Sequence, residues 1–116
     1  MKFYYKGKLV RTSKTHIYRY AIIKKADAES DAPKIKPFAC SKDMKGIESN
    51  LAYLSKDLRI YKAVKAGTYV KTKHYQYSAK QIEEMLIEFY GSVDAAIAKK
   101  QEWFDQYTVV ELEARE

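Results

Sequence analysis

Cysteine is almost missing from this chain. Cys40 is the single one among 116 residues, so no internal disulfide can staple the fold, and a reducing, cytoplasmic setting is expected. Glycine is sparse as well. Gly7, Gly46, Gly67 and Gly91 stand singly, which excludes a glycine-rich phosphate loop. Two histidines, His16 and His74, lie 58 positions apart with no carboxylate spaced to join them and Cys40, so neither a metal site nor a cofactor is expected. No apolar run approaches the ~18–20 residues of a membrane span. The opening MKFYYKGK also has no signal-peptide apolar block, so no membrane partner is expected. Arginine makes up only four of the 22 cationic side chains. Lysine is a flexible point charge suited to phosphates, whereas arginine supplies the two-pronged contacts that read bases, so any nucleic-acid binding is expected to be sequence-tolerant.

What is present is apolar enough to fold. An apolar fraction of 47 % argues against disorder, and the length suits a single domain over residues 1–116. The net charge of +7 is unevenly spread. Residues 1–80 hold 19 of the 22 cations and 6 of the 15 carboxylates, a net +13, against −6 for residues 81–116. Such a split points to a polyanionic partner or to a charged self-interaction, unless the two halves interleave in the fold and neutralise each other.

The strongest periodicity runs from Ser41 to Gly67. Met44, Ile47, Leu51, Leu54, Leu58 and Tyr61 recur at steps of three and four, predicting one long amphipathic helix over 42–66. Ser41 is placed to cap its start and Gly67 to end it. The same stripe over residues 44–61 keeps a coiled-coil repeat for about three heptads, a route to a homodimer. Ahead of it, KFYY and LVRTS flank a Lys6-Gly7-Lys8 turn, and His16–Lys25 reads as a strand with both faces mixed. Ala26–Pro37 carries both prolines and three acids without a period, the signature of an exposed, mobile loop over 26–37. Phe38-Ala39-Cys40 suggests a short strand. Thr68–Tyr77 alternates and is expected as another strand. Ser78 with Gln81 forms a capping-box signature, opening a helix over 79–90. Gly91 and Ser92 then separate it from a helix over 93–107, and TVVELEAR reads as a final edge strand. The expected fold is therefore α+β: a small antiparallel sheet of three to five strands packed by the long helix, plus the C-terminal helix pair.

Two functional classes follow. On a Thr68–Tyr77 strand, Tyr69, Lys71, Lys73, Tyr75 and Tyr77 share one face, the composition of a stacking surface in an electropositive groove. Tyr18 and Tyr20, with Lys24 and Lys25, extend it if the two strands pair. This composition predicts a small basic protein that binds DNA or RNA through lysine–phosphate contacts and tyrosine stacking. The alternative is a protein-interaction module or inhibitor acting through an aromatic surface or the acidic C-terminal helices. An enzyme is not expected. The one arrangement with nucleophilic potential is Cys40 beside a helix start, paired with His16 or His74, and nothing in the spacing supports it.

Overall fold

The turn at Lys6-Gly7 sets the first hairpin. Both residues have positive φ, 47° and 79°, the two-residue geometry whose twist matches that of the flanking strands. It joins β1 (Lys2–Tyr5) to β2 (Lys8–Thr12), antiparallel, with a bulge between Phe3 and Tyr4. The chain then runs extended until β3 (Tyr20–Lys24), so the expected strand from His16 is shorter at its start. The computed structural model describes all of residues 1–116. It forms two compact units, Met1–Tyr53 with Asp105–Glu116, and Leu54–Phe104.

The first unit holds two three-stranded antiparallel sheets where one sheet is expected. One has the order β2-β1-β6 and the other β4-β3-β5, where β4 is Ala39–Ser41, β5 is Tyr107–Glu111 and β6 is Glu113–Arg115. The expected single tail strand is divided at Leu112. Its N–H donates to the Arg19 carbonyl at 2.7 Å, and the chain passes from one sheet edge to the other. In β3, Ala21, Ile22 and Ile23 are all fully buried, which explains the strand's mixed pattern: both of its faces are covered. Ala21 and Ile23 join Val10, Ile35 and Val110 in one cluster.

The segment expected as an exposed mobile loop over 26–37 is built differently. Lys25–Glu29 forms the short helix α1. Residues 33–35 then lie along β2, with Leu9 N–H on the Pro33 carbonyl at 2.9 Å and Ile35 N–H on the Leu9 carbonyl at 2.8 Å. Ile35, an isolated apolar residue between lysines, is thereby buried.

The expected single helix over 42–66 is two helices, α2 (Met44–Leu54) and α3 (Lys56–Ala66). Ser55, at φ −94° and ψ 5°, leaves helical geometry for one residue. That interrupts the rod without disturbing the three-four spacing of the stripe. The cap of α2 also differs. Asp43 Oδ1, rather than Ser41, accepts from the Gly46 N–H at 2.8 Å. A Cβ at Gly46 would overlap Ser41 Oγ, so glycine there permits a close approach that the helix propensity scale counts only as a weakness. Of the expected dimer stripe, Ile47, Leu54 and Leu58 are buried within the chain, whereas Met44 is 44 % exposed.

In the second unit local rules hold closely. The Ser78–Gln81 capping box forms in both directions and opens α4 (Ala79–Tyr90). Gly67 and Gly91 take the left-handed conformation at the ends of α3 and α4. Ser92 Oγ accepts from the Ala95 N–H at 3.0 Å, starting α5 (Val93–Asp105). Ile82, Leu86 and Ala96 form the buried cluster, with Ile60, Tyr61, Val64, Tyr69 and Tyr75 packed against it.

Candidate nucleic-acid interface

Thr68–Tyr77 does not form a strand. Gly67 turns the chain back over α3, where the Thr68 and Tyr69 N–H groups both donate to the Ala63 carbonyl. Thr72 and Tyr75 exchange backbone hydrogen bonds at 3.0 and 3.3 Å, and Thr72 Oγ1 also accepts from the Tyr75 N–H. Tyr69 Oη donates to the Tyr77 carbonyl at 2.7 Å and lies 3.3 Å from that of Tyr75. The loop thus pairs part of its own backbone, in place of the ladder a partner strand would provide.

This geometry rearranges the expected face. Tyr69 and Tyr75 are half-buried anchors against the Ile82–Leu86–Ala96 cluster, edge-to-face at 6.4 Å. Tyr77 continues the row at 5.6 Å from Tyr75 and is half exposed. Lys71 and Lys73 are exposed, Lys73 with His74 at the tip of the Thr72–Tyr75 turn. The five residues sit on one loop, but its tyrosines do not line up beside its lysines.

Between this loop and α3 lies an open groove of about 430 Å³. Ile60, Ala63, Tyr69 and Tyr75 give it an apolar floor, with Val70 at the lip, and Lys56, Arg59 and His74 provide nitrogen-bearing side chains. Lys56 Nζ sits 5.7 Å from the Tyr75 ring centroid. No carboxylate lines the groove. Asp57, the acid of α3, is engaged by Lys100 at 3.6 Å, while Lys65 pairs with Asp94. Part of the sequence's charge asymmetry is therefore neutralised between α3 and α5. Burial, followed by the charge of Asp57, pushes the Tyr75 hydroxyl up.

Burial and then Asp57 also push the Tyr61 hydroxyl from 10.0 up to about 12. A raised phenol favours the neutral form in the folded state. Its contribution is complete below pH 10 and is lost as pH climbs toward 12. Tyr61→Phe is expected to flatten the fall of the urea midpoint between pH 10 and 12 relative to wild type. Equal slopes would show that Tyr61 ionisation does not drive alkaline unfolding.

Tyr18, Tyr20, Lys24 and Lys25 belong to the first unit, and β3 pairs with β4 and β5 rather than with residues 68–77. The expected extension of one face into the other therefore does not occur. Tyr18 is held edge-on by Phe3 at 5.5 Å, stacked with His16 at 6.0 Å, and covered by the Arg11 guanidinium at 5.1 Å. Arg19 lies 5.7 Å from the Tyr20 ring. Beside them is a groove of about 610 Å³ lined by His16, Tyr18, Arg19, Cys40 and Lys42 among others, again with no carboxylate. Lys24, at the opposite end of β3, lines a different depression with Asp27 and Lys36, so the lysine pair is separate from the two tyrosines. Burial pushes the Cys40 thiol up, against the opposing effect of Arg11. His16 lines the same groove, its Nδ1 2.9 Å from Thr15 Oγ1, whereas His74 lies in the other unit.

The structure adds Lys56 and Arg59 to one groove and His16, Arg19 and Lys42 to the other, with Arg11 next to the latter over the Tyr18 ring. A signal for the second was available, because the first 26 residues contain eight cations and no carboxylate. Counting arginines over the whole chain obscures that two of the four fall there. No group of three His, Cys, Asp or Glu side chains is placed to hold a metal ion, and no helix is long and apolar enough to cross a membrane. No protein-family model matches the chain, and neither curated proteins nor solved structures yield a match.

Proposed function

We propose that this protein binds nucleic acid without sequence preference. Lys56, Arg59, Lys71 and Lys73 neutralise phosphates, and the tyrosines of the 69–77 loop supply ring surface, Tyr77 being the most open of the three. The observation that carries the reading is the groove of the second unit, with its apolar aromatic floor, cationic rim and no carboxylate. A polyanion is attracted to such a surface, and a flat base fits it better than a charged or hydrated group does. The groove of the first unit, lined by His16, Arg19 and Lys42 with Arg11 over the adjoining Tyr18 ring, also has no carboxylate and gives the chain a second phosphate-attracting surface.

Fluorescence anisotropy with labelled oligonucleotides tests this. Four neutralised phosphates predict a single-strand salt slope of about −2.8, a loss of roughly 50-fold between ~50 and ~200 mM salt. Lys71→Ala/Lys73→Ala removes two of the four and is expected to halve that slope. Absence of binding to any DNA or RNA probe at the lower salt would overturn the reading.

One observation favours the alternative of a protein-interaction module. Phe89 is 72 % exposed and Met85 37 % exposed, one turn apart on α4, with exposed Glu84 and Glu88 on the same helix. Apolar side chains amid carboxylates suit a basic protein partner. In that case, capture of such a partner would be lost with Phe89→Ser while oligonucleotide binding is absent.

A further inference from the structure

Resting on the nucleic-acid reading, we infer that the groove between α3 and the 68–77 loop accepts an unpaired base, so that the preferred polymer is single-stranded. The argument is one of shape. A duplex offers phosphates on its outside and only base edges in its grooves, its base faces being stacked on one another. The cations Lys56 and Arg59 meet phosphates equally well from either polymer. The floor does not. Ile60, Ala63 and the Tyr69 and Tyr75 rings form a concave apolar surface that phosphate and sugar cannot fill without losing water for nothing in return. An unstacked base presents the flat, weakly hydrated face that such a surface accommodates.

The rim agrees with the floor. Lys56 and Arg59 are three residues apart on α3 and therefore neighbours on its surface. Lys56 Nζ lies over the Tyr75 ring, 5.7 Å from its centroid, so a base that takes its place on the ring face leaves the ammonium next to its own phosphate. Tyr69 and Tyr75 are already fixed, the first by the hydrogen bond from its hydroxyl to the Tyr77 carbonyl and both by packing on the helix cluster. A base meets rings that need no further ordering, which is the condition for stacking to yield affinity.

The test uses the full chain with a labelled 12-nucleotide single strand and the matching duplex, at low salt. Wild type is expected to bind the single strand more tightly. Ala63→Leu fills the floor with a good helix former and is expected to lose about tenfold in single-strand affinity, a loss in the range of one stacked base. Duplex affinity should not change, and Ile87→Ala on α4, outside the groove lining, should keep single-strand affinity near wild type. A measurement on wild type alone guards against misfolding of the leucine variant: the methyl NMR signals of Ile60, Ala63 and Val70 should shift on titration with single strand and stay put with duplex. Equal, steeply salt-dependent binding of both polymers would overturn the unpaired-base inference and leave the cationic reading standing. Binding of neither would remove both.

Discussion

Ile82→Ala is expected to destabilise the second unit by about 2–5 kcal/mol, the range for truncating a buried isoleucine whose surroundings relax only partly. Ile82 is 1 % exposed and shares its cluster with Leu86 and Ala96. The unit runs from Leu54 to Phe104, a length at which a core is small and few side chains carry it. The same cluster supports Tyr69 and Tyr75, so the cavity opens directly beneath the basic loop. Oligonucleotide binding is therefore expected to weaken in step with stability, although Ile82 does not line the groove. The unfolding midpoint in urea can be followed by the fluorescence of Trp103, the sole tryptophan, which lies on α5. Ile87→Ala serves as the control. Ile87 is on the same helix and 48 % exposed, and its truncation should change stability by less than about 0.5 kcal/mol. Equal effects from the two variants would mean that the cluster does not hold the unit together.

How much of this was legible in the sequence depends on how far each decision reaches along the chain. The capping box at Ser78–Gln81 and the helix ends at Gly67 and Gly91 are settled within one turn, so residue identity alone locates them. The Lys6-Gly7 hairpin is of the same kind. Thr68–Tyr77 is the opposite case. Its alternation of tyrosine, valine and threonine with lysine is what a strand shows, but a strand needs a partner, and whether one is free is decided by distant residues. Here β3 is taken on both sides by β4 and β5, and the loop instead uses the Tyr69 hydroxyl and Thr72 to satisfy its backbone.

The break at Ser55 was hidden for a different reason. A single residue out of helical geometry divides the helix while leaving the apolar spacing intact, so periodicity is blind to it. The consequence for the site is large. Residues expected in the middle of a rod, Lys56 and Arg59, instead stand in the first turn of a separate helix, lining the groove. The lysines and tyrosines of the 69–77 segment share one loop, but whether each faces inward or outward depends on burial. Tyr69 and Tyr75 turn inward because an apolar cluster lies beneath them, while Tyr77 remains half exposed.

Phe3→Ala is expected to cost the first unit about 3–5 kcal/mol, the range for a buried phenylalanine. Phe3 is fully buried and lies on β1, the central strand of its sheet. It also meets the Tyr18 ring edge-on at 5.5 Å, and Tyr18 in turn carries Arg11 and His16. Part of the loss should therefore be shared between the two rings. A double-mutant cycle with Tyr18→Ala separates that part, with an expected coupling of about 0.5–1.5 kcal/mol for an aromatic pair. Phe3→Leu keeps most of the buried apolar volume and should recover much of the stability without the coupling, because leucine offers no ring for the Tyr18 edge. Hydrogen exchange at Ala21–Ile23, fully buried in the same unit, reads the stability term. If the cycle shows no coupling, Phe3 contributes burial alone and the Arg11–Tyr18–His16 arrangement is held by its own contacts. If coupling is present, the basic groove of the first unit is fixed from below by a core residue, and Phe3→Ala should weaken its share of polyanion binding without removing a single charge.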